Sequence, residues 1–482
     1  IYERLLEVFP TSGRHWLAYA NQYVADNDKK KAIEVLKRGL PHCPHVDLWR
    51  SYLTHFTSVT MQSTKDNSEV LKAFERAVDA VGQDISSNSL WSEYIAFLRS
   101  CKVSNQYENT QRMNQLRRAY HRCLQVPMHS VDKLWTEYEQ WEKTLDPNNL
   151  QMAEQIIRDL EPKHKAARVA YKERKKLRDA VQNPQFPGPY TGENKEKQNL
   201  KAWQELISFE RSNPQKMPSE DLRKRVAFTF NQCLSYLPLY PEIWYEAGNW
   251  HGEIGDLSGE IKTLEKGILM IPNSLLLHFA LAEKHEMRGN ITEAKNVYEN
   301  LCELQPSPLV FIHYMRFARR SESVQAARTI FKKARKSAQG CSWHVYCDAA
   351  LREYYSNKDA QVARNIFEMG LKHYSCEVEF VLQYLDFLAS FNDDNNTRVV
   401  FEKVLADENS LDRQQALLIW DRFVDFEYSR GDLSAIHKLE QRRAMIYPER
   451  QGSQSLAQLA CRFRFSNLWP CSSIERDLLG IQ

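Results

Sequence analysis

The sequence predicts an all-α fold, an α-solenoid of stacked helix pairs arranged in two halves. Three observations predict it. An aromatic stripe at helical spacing recurs along the chain, a second apolar pattern follows each stripe, and turn and cap residues separate the two.

The first pattern defines helix A of each pair: an aromatic, two residues, a second aromatic or apolar residue, then an apolar and often an acidic one. It is seen at Trp16/Tyr19, Trp49/Tyr52, Trp91/Tyr94 with Phe97, Trp135/Tyr138 with Trp141-Glu142, and Trp203 with Phe209-Glu210. It continues at Trp244, Phe311/Tyr314 with Phe317, Trp343/Tyr346, Tyr384 with Phe387, and Trp420/Phe423 with Phe426-Glu427, with Leu277/Ala280 a degenerate member. Positions i, i+3 and i+7 share one helix face, so each stripe is offered to a neighbouring helix. The second pattern, helix B, includes Ala32-Ile33 to Leu40, Ala73-Phe74, Ala119-Tyr120, Ala294 to Tyr298, Ala327 to Phe331, Ala363 to Phe367 and Val399 to Leu405. Its small residues leave room for the rings of helix A.

The joints fit this division. Asn27-Asp28, Gly255-Asp256, Gly289-Asn290 and Gly431-Asp432 combine a left-handed C-terminal cap with an N-cap for the next helix. Asn290 and Glu293 have capping-box spacing. Pro41, Pro127, Pro238, Pro272 and Pro306 mark the exits of helix B. Trp16 to Trp49 spans 33 residues, as does Trp244 to Leu277. A helix pair of that length cannot bury its stripe alone and must stack on the next.

Bulk composition agrees. The 482 residues are 43% hydrophobic with 16 Gly and 18 Pro, which favours long helices over many-turned β structure. The formal net charge is only +3. A dedicated nucleic-acid binder carries a large basic excess, so RNA contact is expected to be secondary at most. No apolar run approaches a membrane span. The ten cysteines are scattered without a C-x-x-C pair and read as reduced core residues.

Four segments are expected. Residues 1–180 form an N-terminal half that begins inside a repeat, with its first helix missing. Residues 181–199 are a Pro/Gly-containing loop, placed in the 68-residue gap from Trp135 to Trp203. Residues 200–450 form a C-terminal half, and residues 451–482 lose the repeat.

Residue sets with possible chemistry reduce mostly to structural roles. His42, Cys43, His45 and Asp47 match no structural zinc spacing. Gly248, Gly252, Gly255 and Gly259 lack the Gly-Lys-Ser/Thr of a phosphate loop and read as a turn residue and sites of close helix approach. No catalytic set and no cofactor site stands out, which predicts a protein that is not an enzyme. The densest basic run is Lys163, Lys165, Arg168, Lys172, Arg174, Lys175, Lys176 and Arg178. Such a run is ordinarily a solvated helix face; it is also the candidate contact for RNA or an acidic partner.

The spacing Trp-x-x-Tyr-x-x-Phe-Glu resembles the half-a-TPR (HAT) repeat. Non-repeat strings extend the likeness: Tyr314 to Arg320, Ile330 to Arg335, Leu351 to Tyr355, Asn392 to Val399, Gly431 to Leu433, Glu440 to Arg443 and Trp469-Pro470-Cys471-Ser472. With these, the chain resembles the suppressor-of-forked family, the large scaffold subunits of cleavage stimulation factor. That resemblance implies a nuclear protein of pre-mRNA 3′-end cleavage and polyadenylation. It also implies a homodimer formed through the C-terminal half and contact with the cleavage and polyadenylation specificity factor. The RRM-bearing and WD40 subunits of cleavage stimulation factor would bind mainly through a C-terminal tail absent here. HAT splicing scaffolds of the crooked-neck kind share the repeat, and a direct RNA-binding protein is the third reading.

Overall fold

The computed structural model describes residues 1–63, 67–101, 105–145, 150–184, 186–391, 393–406, 411–447, 456–464 and 467–480. Among them the regular structure is helical and no strand forms. From Gly13 onward the helices alternate as the two patterns require. Gly13–Ala25 carries Trp16 and pairs with Lys29–Gly39; Pro241–Glu253 carries Trp244 and pairs with Leu257–Met270; Trp343–Tyr355 pairs with Ala360–Tyr374. The chain divides into two compact units, Ile1–Leu281 and Ala282–Gln482. The Pro/Gly loop lies inside the first of them.

The aromatic stripes are the core. Trp16, Trp91, Trp203, Trp244 and Trp420 are buried, with Trp203 fully enclosed. Their seats are small. A Cβ added to Gly39 would lie 2.7 Å from the Trp16 ring, and one added to Gly267 would lie 2.8 Å from that of Trp244. The indole N–H is held as well: Trp16 Nε1 donates to the Pro10 carbonyl and Trp244 Nε1 to the Pro238 carbonyl, both at 2.8 Å. The proline that ends one helix B therefore supplies the acceptor for the first ring of the next helix A.

Helix B also brings rings of its own, which go beyond the small residues expected of it. Tyr298 lies parallel to Tyr314 at 5.4 Å, Phe367 to Tyr384 at 5.0 Å and Phe401 to Phe423 at 4.3 Å. Each stacks on the second aromatic of the following helix A. Such a pair adds about 0.5–1.5 kcal/mol beyond its buried area.

The acidic residue that closes many stripes also has a structural cause. Glu142, Glu353 and Glu427 are buried and each accepts from an arginine of the preceding helix B: Arg117 at 2.5 Å, Arg328 at 2.8 Å and Arg398 at 2.6 Å. Arg364 meets Asp393 at 3.1 Å, and Lys295 meets Glu322 at 2.8 Å, in the same way. Burial opposes the charge on Glu353, yet hydrogen bonds from Arg328 and Asn357 prevail and lower its pKa.

The joints follow the expected chemistry with two corrections. Gly255 and Gly289 adopt φ of +79° and +75°, and Asn27 +59°, so the left-handed cap forms at three joints. Gly431 does not use it: its φ is −90° with ψ −174°, and the helix before it ends in extended backbone. Asp28, Asp256 and Asp432 accept from backbone N–H groups three residues on, at 3.1, 2.9 and 2.7 Å. Asn290 makes no side-chain cap bond, so its spacing to Glu293 does not become a capping box. A capping box does form at Ser472 and Glu475, at 2.7 and 3.3 Å.

The long gap between Trp135 and Trp203 holds one helix B of unusual length, Leu150–Ala180, with Pro162 inside it, followed by the non-helical 181–184 and 186–193. Phe186 of that loop packs on Phe9 and His15, at ring distances of 5.1 and 4.8 Å. One hydrophobic cluster runs from Leu6 to Phe228, across the loop in sequence, so the loop does not interrupt the core.

Candidate interaction surfaces

The helix Leu150–Ala180 sorts the eight basic residues by its own periodicity. Its apolar face, Ala153, Ile157, Leu160, Ala167 and Ala170, is buried. Lys163, Lys165, Arg168, Lys172, Lys175 and Lys176 point to solvent. Three of these meet acids: Lys165 pairs with Glu161 at 2.7 Å, Arg168 with Asp132 at 3.6 Å and Lys176 with Glu173 at 3.0 Å. Lys163, Lys172 and Lys175 form no ion pair among the described residues. Salt bridges this exposed contribute about 0–1 kcal/mol each, so the face is a solvated, partly neutralised one.

The other two residues of the run are not on that face. Arg174 is buried; it pairs with Glu210 at 2.7 Å and donates to the Pro127 carbonyl at 3.2 Å. It takes the same part as Arg117, Arg328 and Arg398, bridging helix B to the acid of the next helix A. Arg178 is half-buried, lies 5.3 Å over the Trp203 ring and donates to Asn183 at 3.2 Å. Both belong to the packing of the helix Asn194–Arg211 on the long helix. The signal in the sequence was Glu210, directly after Phe209: an acid at that stripe position requires a buried cation.

Beside this bridge lies a second buried polar group. Arg225 donates to Gln83 at 3.0 Å and to Gln215, and burial pulls its pKa down to about 9. Gln215 Nε2 donates to the Gln125 carbonyl at 3.1 Å, and Gln232 donates to Asp84. Residues before and after the loop are thus joined by hydrogen bonds that are wholly buried at Gln232–Asp84 and partly buried at Arg225. Nothing in the local sequence pattern marks Arg225, because its partners are 10 to 142 residues away.

Cys43 and, of the glycines singled out in the sequence, Gly248 and Gly252 lie in helix packing. Cys43 is buried, its thiol donates to the Pro10 carbonyl at 3.3 Å, and burial pushes its pKa up to about 12. Among the described residues no group of three or more His, Cys, Asp or Glu is placed to hold a metal ion. Gly248 brings its helix within van der Waals reach of Leu264, and Gly252 lies against the Glu260 carboxylate. No helix is long and apolar enough to cross a membrane among the described residues.

Against known families, residues 1–476 match the suppressor of forked protein family. The chain belongs to that family. The suppressor-of-forked chain is 38% identical to cleavage stimulation factor subunit 77 of Arabidopsis thaliana, covering all of this chain and 66% of that protein. It is 30% identical to the protein suppressor of forked of Drosophila melanogaster, over all of this chain and 69% of that one. The mRNA 3′-end-processing protein RNA14 of Cryptococcus neoformans is also 30% identical, over 87% of this chain and 47% of its own length. A solved structure of CSTF-77 superposes with a TM-score of 0.61, covering 91% of this chain and 89% of that one at 19% identity, which establishes the shared helix-repeat fold. Of the strings that carried the resemblance, Tyr314 to Arg320 lies in the helix Pro308–Ser321 and Leu351 to Tyr355 in Trp343–Tyr355. Asn392 lies outside the described residues, as do residues 451–455, 465–466 and 481–482 of the final segment.

Proposed function

We propose that this chain is the non-catalytic scaffold subunit of cleavage stimulation factor, acting in the nucleus in pre-mRNA 3′-end cleavage and polyadenylation. The family match over residues 1–476 carries this reading. The fold supports the scaffold reading: the buried polar groups described above join one helix to the next. In this reading the chain homodimerises through residues 200–450 and meets the cleavage and polyadenylation specificity factor. The RRM-bearing and WD40 subunits of cleavage stimulation factor are its further partners in this reading. Exposed apolar side chains support a self-association surface toward the end of that half, where Leu418, Leu433, Met445 and Ile446 face solvent in the single chain.

Affinity purification of the full-length protein from nuclear extract, with bound proteins identified by mass spectrometry, tests the function. Cleavage and polyadenylation factors are expected. Recovery of spliceosomal proteins instead would assign the chain to the splicing scaffolds. Light scattering tests the dimer: a monomer mass at every concentration would refute it.

A further inference from the structure

The A helices Pro308–Ser321 and Trp343–Tyr355 of successive pairs lie side by side. Arg316, Arg319 and Arg320 project from the last turns of the first. Arg352 projects from the last turn of the second. With Asp348 and Tyr355 they line an open groove of about 390 Å³.

The guanidinium donors have too few acceptors. Arg316 spends Nε and Nη2 on one oxygen of Asp348, at 3.0 and 2.7 Å, and Arg352 takes the other oxygen. Arg320 grips Glu286 with Nε and Nη2, at 2.9 and 2.8 Å. Arg319 donates to the neutral Asn357, at 2.7 Å, and to no carboxylate among the described residues. The next acid, Glu353, is already held by Arg328 at 2.8 Å. Among the described residues three of the four cations hydrogen-bond two carboxylates between them, and Glu283 and Glu353 act on Arg320, Arg352 and Arg319 through charge without a hydrogen bond. Arg352 is the most enclosed of them, with its side chain 12% exposed and its buried Nε without a hydrogen-bond partner. Burial, and then the neighbouring Arg316, Arg320 and Arg319, lower its pKa to about 10, which still leaves it charged at neutral pH.

We propose that this arginine groove is a docking site for an acidic peptide segment of a partner protein. A carboxylate entering between Arg319, Arg316 and Arg352 supplies the missing counter-charge. Arginine is suited to this, because its planar fork takes a carboxylate through two N–H bonds. Tyr355, 63% exposed at the rim, offers an apolar wall for the methylenes of a glutamate. An RNA strand fits less well. Its affinity grows with the number of phosphates neutralised along a track. Here the positive charge is confined to two helix ends, and Asp348 occupies the floor.

The test uses the whole chain and fluorescence anisotropy with three probes: a short labelled Glu/Asp-rich peptide, a Gly/Ser-rich peptide of equal length, and labelled oligouridylate. The acidic peptide is expected to bind, with an affinity that falls as salt is raised. R316A/R319A and, separately, R352Q are expected to weaken it about tenfold or more while binding of the Gly/Ser peptide stays negligible. Thermal melting of each variant is recorded alongside. If R352Q lowers the melting temperature, the R316A/R319A pair decides, since neither of those side chains is fully buried. Three results overturn the proposal. One is no binding of the acidic peptide to the parent chain. Another is unchanged affinity in R316A/R319A. The third is oligouridylate that binds more tightly than the peptide and is lost in the same variants, which would make the groove an RNA site.

Discussion

Neutralising Glu210 should loosen the first unit far more than neutralising any lysine on the face of the same helix pair. The Glu210 and Arg174 side chains are 2% and 5% exposed, and they meet at 2.7 Å. In Glu210→Gln the guanidinium of Arg174 keeps its charge, stays out of water and loses its carboxylate; the Pro127 carbonyl at 3.2 Å is the neutral acceptor that remains. Breaking one side of a buried pair costs about 3–5 kcal/mol, whereas replacing both partners by apolar groups of similar volume is often neutral. Hydrogen exchange of amides in Leu150–Ala180 and Asn194–Arg211 reads this directly. With 1.4 kcal/mol per factor of ten, protection there should fall about a hundredfold or more in E210Q. The double variant R174M/E210L should recover most of the loss. Protection that changes less than about threefold in E210Q, or a double variant as damaged as the sum of the singles, would refute the argument that the pair acts as one buried unit.

Charge reversal at Lys172, Lys175 and Lys176 should leave melting within about 0.5 kcal/mol of the parent, because these side chains are solvated; a larger loss by denaturant titration would show that the face is packed. Whether the same variant alters partner or RNA affinity tests the candidate contact itself. Gly39→Ala should destabilise despite the better helix propensity of alanine: its Cβ would sit 2.7 Å from the Trp16 ring, and overpacking costs about 1–3 kcal/mol against a gain of about 1. Equal or higher thermal stability in G39A would show that Trp16 yields. Trp203→Ala should cost about 3–5 kcal/mol, read as early loss of protection in the helix Asn194–Arg211. Burial pushes the imidazoles of His121 and His164 below their ordinary value. The unfolded chain therefore takes up these protons first as pH falls. Their contribution is full above about pH 6.5 and declines below it, so the first unit should melt earlier at about pH 5.5 than at about pH 7.5. Equal melting at both would contradict the assignment.

Much of the fold was legible because each repeat restates the same local rule. Trp16, Trp91 and Trp203 at helical spacing sufficed to place helix A, and Asp28, Asp256 and Asp432 marked where the next helix starts. What was hidden depends on residues far apart in sequence. Arg174 looks like one more member of a basic run until Glu210 is set against it, and Arg225 makes its hydrogen bonds to residues that no periodicity links. Gly431 shows the limit of local signals from the other side: a glycine ahead of an N-cap aspartate suggests the left-handed cap, yet the chain leaves that helix in extended form. The interaction surface was the least legible part. Arg316, Arg319, Arg320 and Arg352 belong to two different helices, and only stacking brings them to one groove.

Ring stacking and arginine–acid bridging do different jobs in such an array. Stacked rings are tolerant. Tyr298 on Tyr314 and Phe401 on Phe423 are nearly parallel plates that lose little if one slides a fraction of a ring. Bridges are not tolerant. A helix pair slipped by one turn would carry Glu353 away from Arg328 and leave the buried carboxylate without that cation, at about 1–3 kcal/mol, while Arg328, 36% exposed, turns to water. Apolar stripes alone would thus give a stack of indifferent order, and the acid after the aromatic makes each joint choose its proper neighbour. Replacing Arg328 and Glu353 together by leucines should therefore preserve melting while broadening the joint. Hydrogen exchange at Trp343–Tyr355 would then rise without a matching loss of overall stability. A variant as well protected there as the parent would show that shape alone sets the register.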